Sequence, residues 1–497
     1  PDTDRIKEYV DEQQPKEAVV VGGGFIGLEM AENLVDRGIK VTLVEMANQV
    51  MAPLDYEMAT IVHQHLQDKG VQLILEDGVQ AFEAEGKVVT LSSGKKINTD
   101  MTILSIGVKP ENSLAVDAGL SVGKRGGIIV NEYLQTEDSS IFALGDAIEV
   151  TDYINEQPAM IPLAGPANRQ GRIVANNIYG KKEKYKGTLG TGIAKVFDLT
   201  VATTGNNEKV LKRQGMEYQV IHIHPASHAG YYPGAVPIAL KVIFAPETGK
   251  ILGAQAVGAD GADKRIDVIA TAIRGGLSVT ELTELELAYA PPFSSAKDPV
   301  NMAGYVATNL LEEGIETVQW HEINQIVENG GMLIDVREPV EREAGFIKGS
   351  INIPLGEIRE RLAEIPKDKT IYITCQVGLR GYLATRILDA NGYHVKNLDG
   401  GWKTYSSVYR TNLEPNQVME AEIVSDDELD VTGLQCPGPL MNVFKKMKTL
   451  EVGKVLKVLA TDSNFTKDIT GWCASNGNTV LKIEQQDKYY VTYIRKN

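Results

Sequence analysis

The chain of 497 residues has room for about three or four domains at roughly 150 residues each. Its net charge of −16, from 50 Lys+Arg against 66 Asp+Glu, disfavours nucleic-acid partners, and no basic stripe offsets it. No apolar run approaches the roughly 20 residues that a membrane span needs, and no cationic start precedes an apolar stretch.

The three cysteines, Cys375, Cys436 and Cys473, are too scattered for a disulfide framework or a zinc site. That usage fits a reducing cytoplasm.

Residues 17–45 read as strand, glycine-rich turn, helix and strand: EAVVV, GGGFIG, LEMAENLVDRG and KVTLVE. A second helix over 55–69 and strands near 71–75 and 101–105 complete a doubly wound unit. Gly22, Gly24 and Gly27 form G-x-G-x-x-G directly after a strand and at a helix entrance. These glycines permit a tight turn and close approach of backbone to a pyrophosphate. Glu45 ends the second strand, where a ribose 2′-hydroxyl needs an acceptor. Residues 46–49, MANQ, offer no Arg for a 2′-phosphate, so NADH is favoured over NADPH.

The next segment, 107–186, has scattered Gly and Pro around IFALGDA. Apolar strands at 238–244 and 251–257, with an amphipathic helix at 263–274, suggest an α+β layer domain. A short acidic connector, 312–317, leads to a second alternating helix–strand region, and the acidic stretch 425–428 introduces a last module. His222, His224 and His228 lack a completing Cys or acid for a metal, and read as surface or interface residues.

Residues 1–312 resemble the C-terminal two-thirds of the pyridine-nucleotide disulfide reductases, in their coenzyme A-disulfide reductase branch. The motifs that carry this are GGGFIG, SIGVKPEN at 105–112, IFALGDA, PLAGPANRQGR at 162–172, HAGYYPGAVP at 228–237 and AYAPPFSSAKDPVNMAG at 288–304. The resemblance implies an FAD site that includes Gly107, Asp146, Ala164 and Lys195, with NADH or NADPH bound at the glycine turn. It also implies a homodimer through 187–312, with Tyr231 or Tyr232 and Tyr289 near a substrate sulfur. A phenol there could donate a hydrogen bond to a departing CoA thiolate. The family begins with a flavin fingerprint and a single redox cysteine. This chain opens at PDTDRIKEYV, in the helix before the nicotinamide domain, and is therefore expected to be a fragment of a longer reductase.

Cys375 follows the strand TIYIT and opens the six-residue loop CQVGLR before a helix. Convergent backbone N–H groups and a helix N-terminus favour a thiolate, and equally the terminal sulfur of a persulfide. Arg380 is expected to orient the loop and add positive charge. With LIDVREPVEREAGFIKGSINIPL and LDGGW, this region resembles the rhodanese sulfurtransferases, in which Asp335 and Arg337 match a bracing pair. Related phosphatases use a loop one residue longer, so the short loop points to sulfur.

The final module places Cys436 in LQCPGP at a helix entrance, with apparent order βαβαββ, and resembles the TusA-like sulfur carriers. Cys473 reads as a core or half-buried thiol.

The expected fold is α/β: Rossmann-type nucleotide domains, an α+β dimerisation domain, a rhodanese α/β domain and a TusA-like two-layer sandwich. The expected boundaries are 1–106, 107–186, 187–312, 318–412 and 424–497. The leading expectation is a flavin-dependent NAD(P)H reductase of CoA disulfide, CoA-persulfide or polysulfide. Its sulfurtransferase modules relay sulfane sulfur between Cys375 and Cys436, and exchange it with donor or acceptor proteins. The rivals are a non-flavin carrier that uses the reductase body as a dimer scaffold, and an NADH oxidase or peroxidase.

Overall fold

A computed structural model describes residues 2–409, 425–434, 437–462, 465–486 and 489–497. The backbone divides into two compact units, 1–218 with 252–255, and 219–251 with 256–497.

The first unit is built on a four-stranded parallel sheet, in spatial order Gln72–Ile74, Lys40–Val44, Glu17–Val21 and Met101–Leu104. Val20 and Leu43 are fully buried, as the continuous apolar runs require of strands covered on both faces. Helix Phe25–Asp36 buries Leu28, Ala31 and Leu34. Val19, Val21 and Val44 share a core with Val89 and Leu91 of the antiparallel three-stranded sheet Val79–Glu83, Val88–Leu91 and Lys96–Asn98. The irregular region after Leu104 has its own core, in which Ile128, Leu134 and Ile148 meet Ile173 and Val174 of helix Ala164–Ile178.

The second unit begins with the antiparallel pair Gln219–Ile223 and Ile238–Phe244, followed by helices Ala262–Gly275 and Pro299–Leu311. Next comes a five-stranded parallel sheet in the order Glu316–Val318, Val395–Leu398, Ile371–Thr374, Met332–Asp335 and Ile351–Asn352. The acidic connector thus ends as an edge strand, because Glu316 pairs with His394 and Lys396 on its neighbour.

The last module has the expected βαβαββ order: Asp427–Asp430, Gly438–Thr449, Val455–Ala460, Phe465–Ser475, Thr479–Gln486 and Tyr489–Arg495. The acidic stretch runs into the first strand, which starts at Asp427; Asp426 and Glu428 pair with Lys454 and Lys457. Among the described residues, no helix is long and apolar enough to cross a membrane.

Candidate functional site

The glycine turn is shaped by close backbone approach. A Cβ on Gly22 would lie 2.4 Å from the Ser105 carbonyl oxygen, and one on Gly27 would lie 1.9 Å from that of Gly22. A Cβ on Gly24 would meet nothing within 4 Å. Helix Phe25–Asp36 has no side-chain cap, so its first N–H groups and dipole face open space, which fits a pyrophosphate. Glu45 is half-buried beside this turn; its carboxylate accepts the Gly23 N–H at 2.7 Å and the Ala47 N–H at 2.8 Å. In this structure it braces the turn that it was expected to serve as a ribose acceptor.

The residues expected at a flavin lie in the same unit. Asp146 is exposed on the 3-10 turn Gly145–Ala147, and the Gly145 N–H donates to Gln170 Oε1 at 2.7 Å. This bond ties the turn to the helix that Ala164 opens. Gly107 is exposed, at a positive φ of 103°. Lys195, on strand Gly192–Val196, projects from the surface 4.0 Å from Glu32 of the fingerprint helix. Glu32 also accepts the Phe197 N–H at 2.8 Å, which ties that strand's end to the nucleotide helix. The exposed carboxylate and the uncapped start of helix Ala164–Ile178 suit one side of a flavin's ribityl–pyrophosphate arm.

In the second unit the structure joins two of the motifs. The Tyr231 and Tyr289 hydroxyls are 2.9 Å apart and both side chains are exposed. Their hydrogen bond, then partial burial, holds the Tyr231 phenol above its ordinary range. Tyr232 instead packs edge-on against His228, with ring centroids 5.8 Å apart. Arg265, which the sequence did not single out, staples the two tyrosine loops. Its guanidinium donates to the Ser227 carbonyl at 2.8 Å and to Asp298 at 3.1 Å. Asp298 caps helix Pro299–Leu311 within a capping box.

The histidines are not on the surface. His222 is buried with Nδ1 2.6 Å from Asp399 of the LDGGW motif, and His224 Nε2 is 2.8 Å from Thr404 Oγ1. His222 and His224 thus pack between modules, and burial pushes His224 well below the usual imidazole range.

Cys375 lies at the end of strand Ile371–Thr374, 1% exposed, and its Sγ accepts the Gly378 N–H at 3.1 Å. Gly378 precedes the uncapped helix Leu379–Asp389. The Cys375 carbonyl accepts the Trp402 N–H at 2.7 Å, and the Gln376 carbonyl accepts the Lys403 N–H at 2.9 Å. Asp335 and Arg337 form a fully buried pair, and Arg337 also donates to Gln376 Oε1 at 3.2 Å.

Arg380 differs from expectation. Both arms of its guanidinium donate to Glu341, at 2.6 and 2.7 Å, while the Gly378 N–H is the backbone donor directed at the sulfur. Cys436 lies outside the described residues. Cys473 sits 1% exposed in the core of the last module, and burial pushes its thiol up to about 12, which fits an inert core residue.

Family models match in chain order. Residues 2–171 match the pyridine nucleotide-disulphide oxidoreductases, 192–299 their dimerisation domain, 319–407 the rhodanese-like domain and 427–496 the sulfurtransferase TusA. The coenzyme A disulfide reductase of Staphylococcus haemolyticus is 38% identical over 310 residues, which is 62% of this chain and 70% of that protein. A Staphylococcus aureus coenzyme A disulfide reductase is 37% identical over 308 residues, covering 62% and 69%.

The crystal structure of reduced Bacillus anthracis CoADR-RHD superposes with TM-score 0.81 at 63% identity, covering 82% of this chain and 73% of that one. The structure of an NAD-dependent persulfide reductase from A. fulgidus gives TM-score 0.75 at 39% identity, covering 81% and 74%. The family is one of FAD- and NAD(P)H-dependent oxidoreductases. With its nucleotide turn, tyrosine loops and sulfurtransferase loop in that setting, the chain belongs to the coenzyme A disulfide reductase branch of the pyridine nucleotide-disulphide oxidoreductases, followed by a rhodanese-like domain and a TusA domain.

Proposed function

We propose that the protein is a cytoplasmic, homodimeric flavoprotein that uses NADH to reduce CoA disulfide and CoA-persulfide or polysulfide, coupled to a sulfur relay through Cys375 and Cys436. The observation that carries the reading is the Gly378 N–H pointed at Cys375 Sγ, at the mouth of an uncapped helix, in a chain whose first half is a reductase body. A thiolate, or the terminal sulfur of a persulfide, is stabilised by such convergent dipoles.

Gly22, Gly24 and Gly27 bind the dinucleotide pyrophosphate, and Glu45 takes the ribose hydroxyls; residues 46–49 lack the Arg that would prefer NADPH. Gly107, Asp146, Ala164 and Lys195 would hold one side of FAD. Bound FAD supplies two-electron transfer between the nicotinamide and a sulfur–sulfur bond. The dimerisation domain, which we take as 187–312, presents Tyr231 and Tyr289. Their paired hydroxyls donate a hydrogen bond to the thiolate that leaves when that bond is cleaved, with Tyr232 supporting the loop. Arg380 holds the persulfide loop through Glu341.

The test is steady-state oxidation of NADH by the purified yellow protein with CoA disulfide, CoA-persulfide or oxygen as acceptor. Turnover with the CoA compounds and loss of about tenfold in Tyr289→Phe support the reading. Oxygen consumption that ignores CoA compounds points to the oxidase chemistry of the same fold and refutes it.

A further inference from the structure

Strand Gln219–Ile223, within the region that matches the dimerisation domain, pairs on one side with Ile238–Phe244. An open strand edge presents unpaired N–H and C=O groups. Here the rhodanese-like domain takes them up. The His222 N–H donates to Asp399 Oδ1 at 3.1 Å, and Gln319 Nε2 donates to the Val220 carbonyl at 3.5 Å. His222 Nδ1 lies 2.6 Å from Asp399 Oδ2, so one residue grips both oxygens of the carboxylate. A carboxylate only accepts, so Nδ1 carries the proton of this bond. The two side chains are 2% and 4% exposed.

Asp399 and Gly400 lead into helix Gly401–Tyr409. The Asp399 N–H is held by the Val318 carbonyl at 3.0 Å, and a Cβ on Gly400 would stand 2.9 Å from His222 Cβ. His224 adds a second tie to the same helix, with Nε2 2.8 Å from Thr404 Oγ1.

The start of that helix supports the sulfur loop. The first N–H groups of a helix have no partner within it. The Trp402 N–H goes to the Cys375 carbonyl at 2.7 Å, and the Lys403 N–H to the Gln376 carbonyl at 2.9 Å. A trans peptide points its N–H opposite to its C=O, so these bonds turn the Gln376 and Val377 N–H groups away from the helix. The next N–H in the chain, that of Gly378, meets Cys375 Sγ at 3.1 Å.

We infer that His222 is a positioning residue for the sulfur chemistry of Cys375. It orients Asp399, and through Asp399 the helix start that aims the loop's N–H groups. The inference rests on the reading of Cys375 as the sulfur-bearing thiol. Apolar packing would be enough to join the two domains; two bonds from one residue to one carboxylate also fix the orientation of the turn. The dimerisation domain thus sets the geometry of a loop whose own residues all lie in the rhodanese-like domain.

The experiment follows thiocyanate formation by full-length protein from thiosulfate and cyanide. The Cys375 thiolate attacks the outer sulfur of thiosulfate, a sulfur–sulfur bond forms to Cys375, and sulfite leaves with the electron pair of the broken bond. Cyanide then takes that sulfur, and Cys375 departs as thiolate. His222→Ala combined with Asp399→Asn removes the pairing without stranding a buried carboxylate. At a temperature where it is folded, its kcat should fall about tenfold, a fraction of the loss that a missing donor brings. The KM for thiosulfate should stay within about twofold, because the loop N–H acts on charge that develops during transfer. His222→Asn keeps an N–H donor in the place of Nδ1 and should hold kcat within about twofold of wild type. A wild-type kcat in the folded double variant, or an equal loss in His222→Asn, overturns the inference. No thiocyanate and no added sulfur on Cys375 in wild type overturn the reading on which it rests.

Discussion

Gly401 offers a direct probe of how the LDGGW motif shapes the sulfur loop. It has φ of +59°, and a Cβ there would stand 2.5 Å from the Cys375 carbonyl oxygen and 3.0 Å from the Gln376 carbonyl carbon. Ordinary contact starts at 3.4 Å, so Gly401→Ala must push the loop by about 0.9 Å. The left-handed backbone costs an alanine about 1–2 kcal/mol. Loosening of the Trp402 N–H bond to the Cys375 carbonyl, now 2.7 Å, adds about 1 kcal/mol. The variant should lose about 2–3 kcal/mol of stability by urea denaturation. Its thiosulfate-to-cyanide sulfur transfer should fall about 100-fold at a temperature where it remains folded, since a shift near 1 Å misplaces the nucleophile. Full transfer activity in a folded Gly401→Ala protein would refute the claim that this turn sets the loop.

Asp298→Asn leaves the buried Arg265 without its carboxylate and should cost about 3–5 kcal/mol in thermal or denaturant unfolding. Burial pushes Asp298 up, but the Ser294 hydroxyl, the Val300 N–H and Arg265 outweigh it, so its folded value lies below the ordinary one. That contribution is present above about pH 4 and is lost as pH falls through the folded value, so a pH-resolved unfolding series should show the wild type losing its advantage over Asp298→Asn in acid. Iodoacetamide on native protein at pH 8 should leave Cys473 unlabelled, whereas the denatured chain is labelled there. Glu45→Ala removes the acceptor of the Gly23 and Ala47 N–H groups and should raise the KM for NADH about tenfold.

The parts of the site that were legible in the sequence are those set by local geometry. The glycine turn follows from strand–turn–helix spacing, and the Cys375 loop from a strand end running into a helix. Groups paired across long sequence separations were not legible. The partner of His222 lies at Asp399, and the carboxylate that takes up Arg380 lies at Glu341, so neither could be read from neighbours. Arg265 looked like one more charge on an amphipathic helix, yet it is 1% exposed and fixes both tyrosine loops. The strand Asp427–Asp430 read only as an acidic stretch introducing the last module, because its acids find their lysines far along the chain: Asp427 pairs with Lys446 of helix Gly438–Thr449 and Glu428 with Lys457 of the adjacent strand.

The most direct measurement is the mass of the peptide containing Cys375 after native protein meets thiosulfate or polysulfide. The account predicts a gain of one sulfur atom that dithiothreitol removes, with none on Cys473. An unmodified Cys375 peptide from correctly folded protein would contradict it.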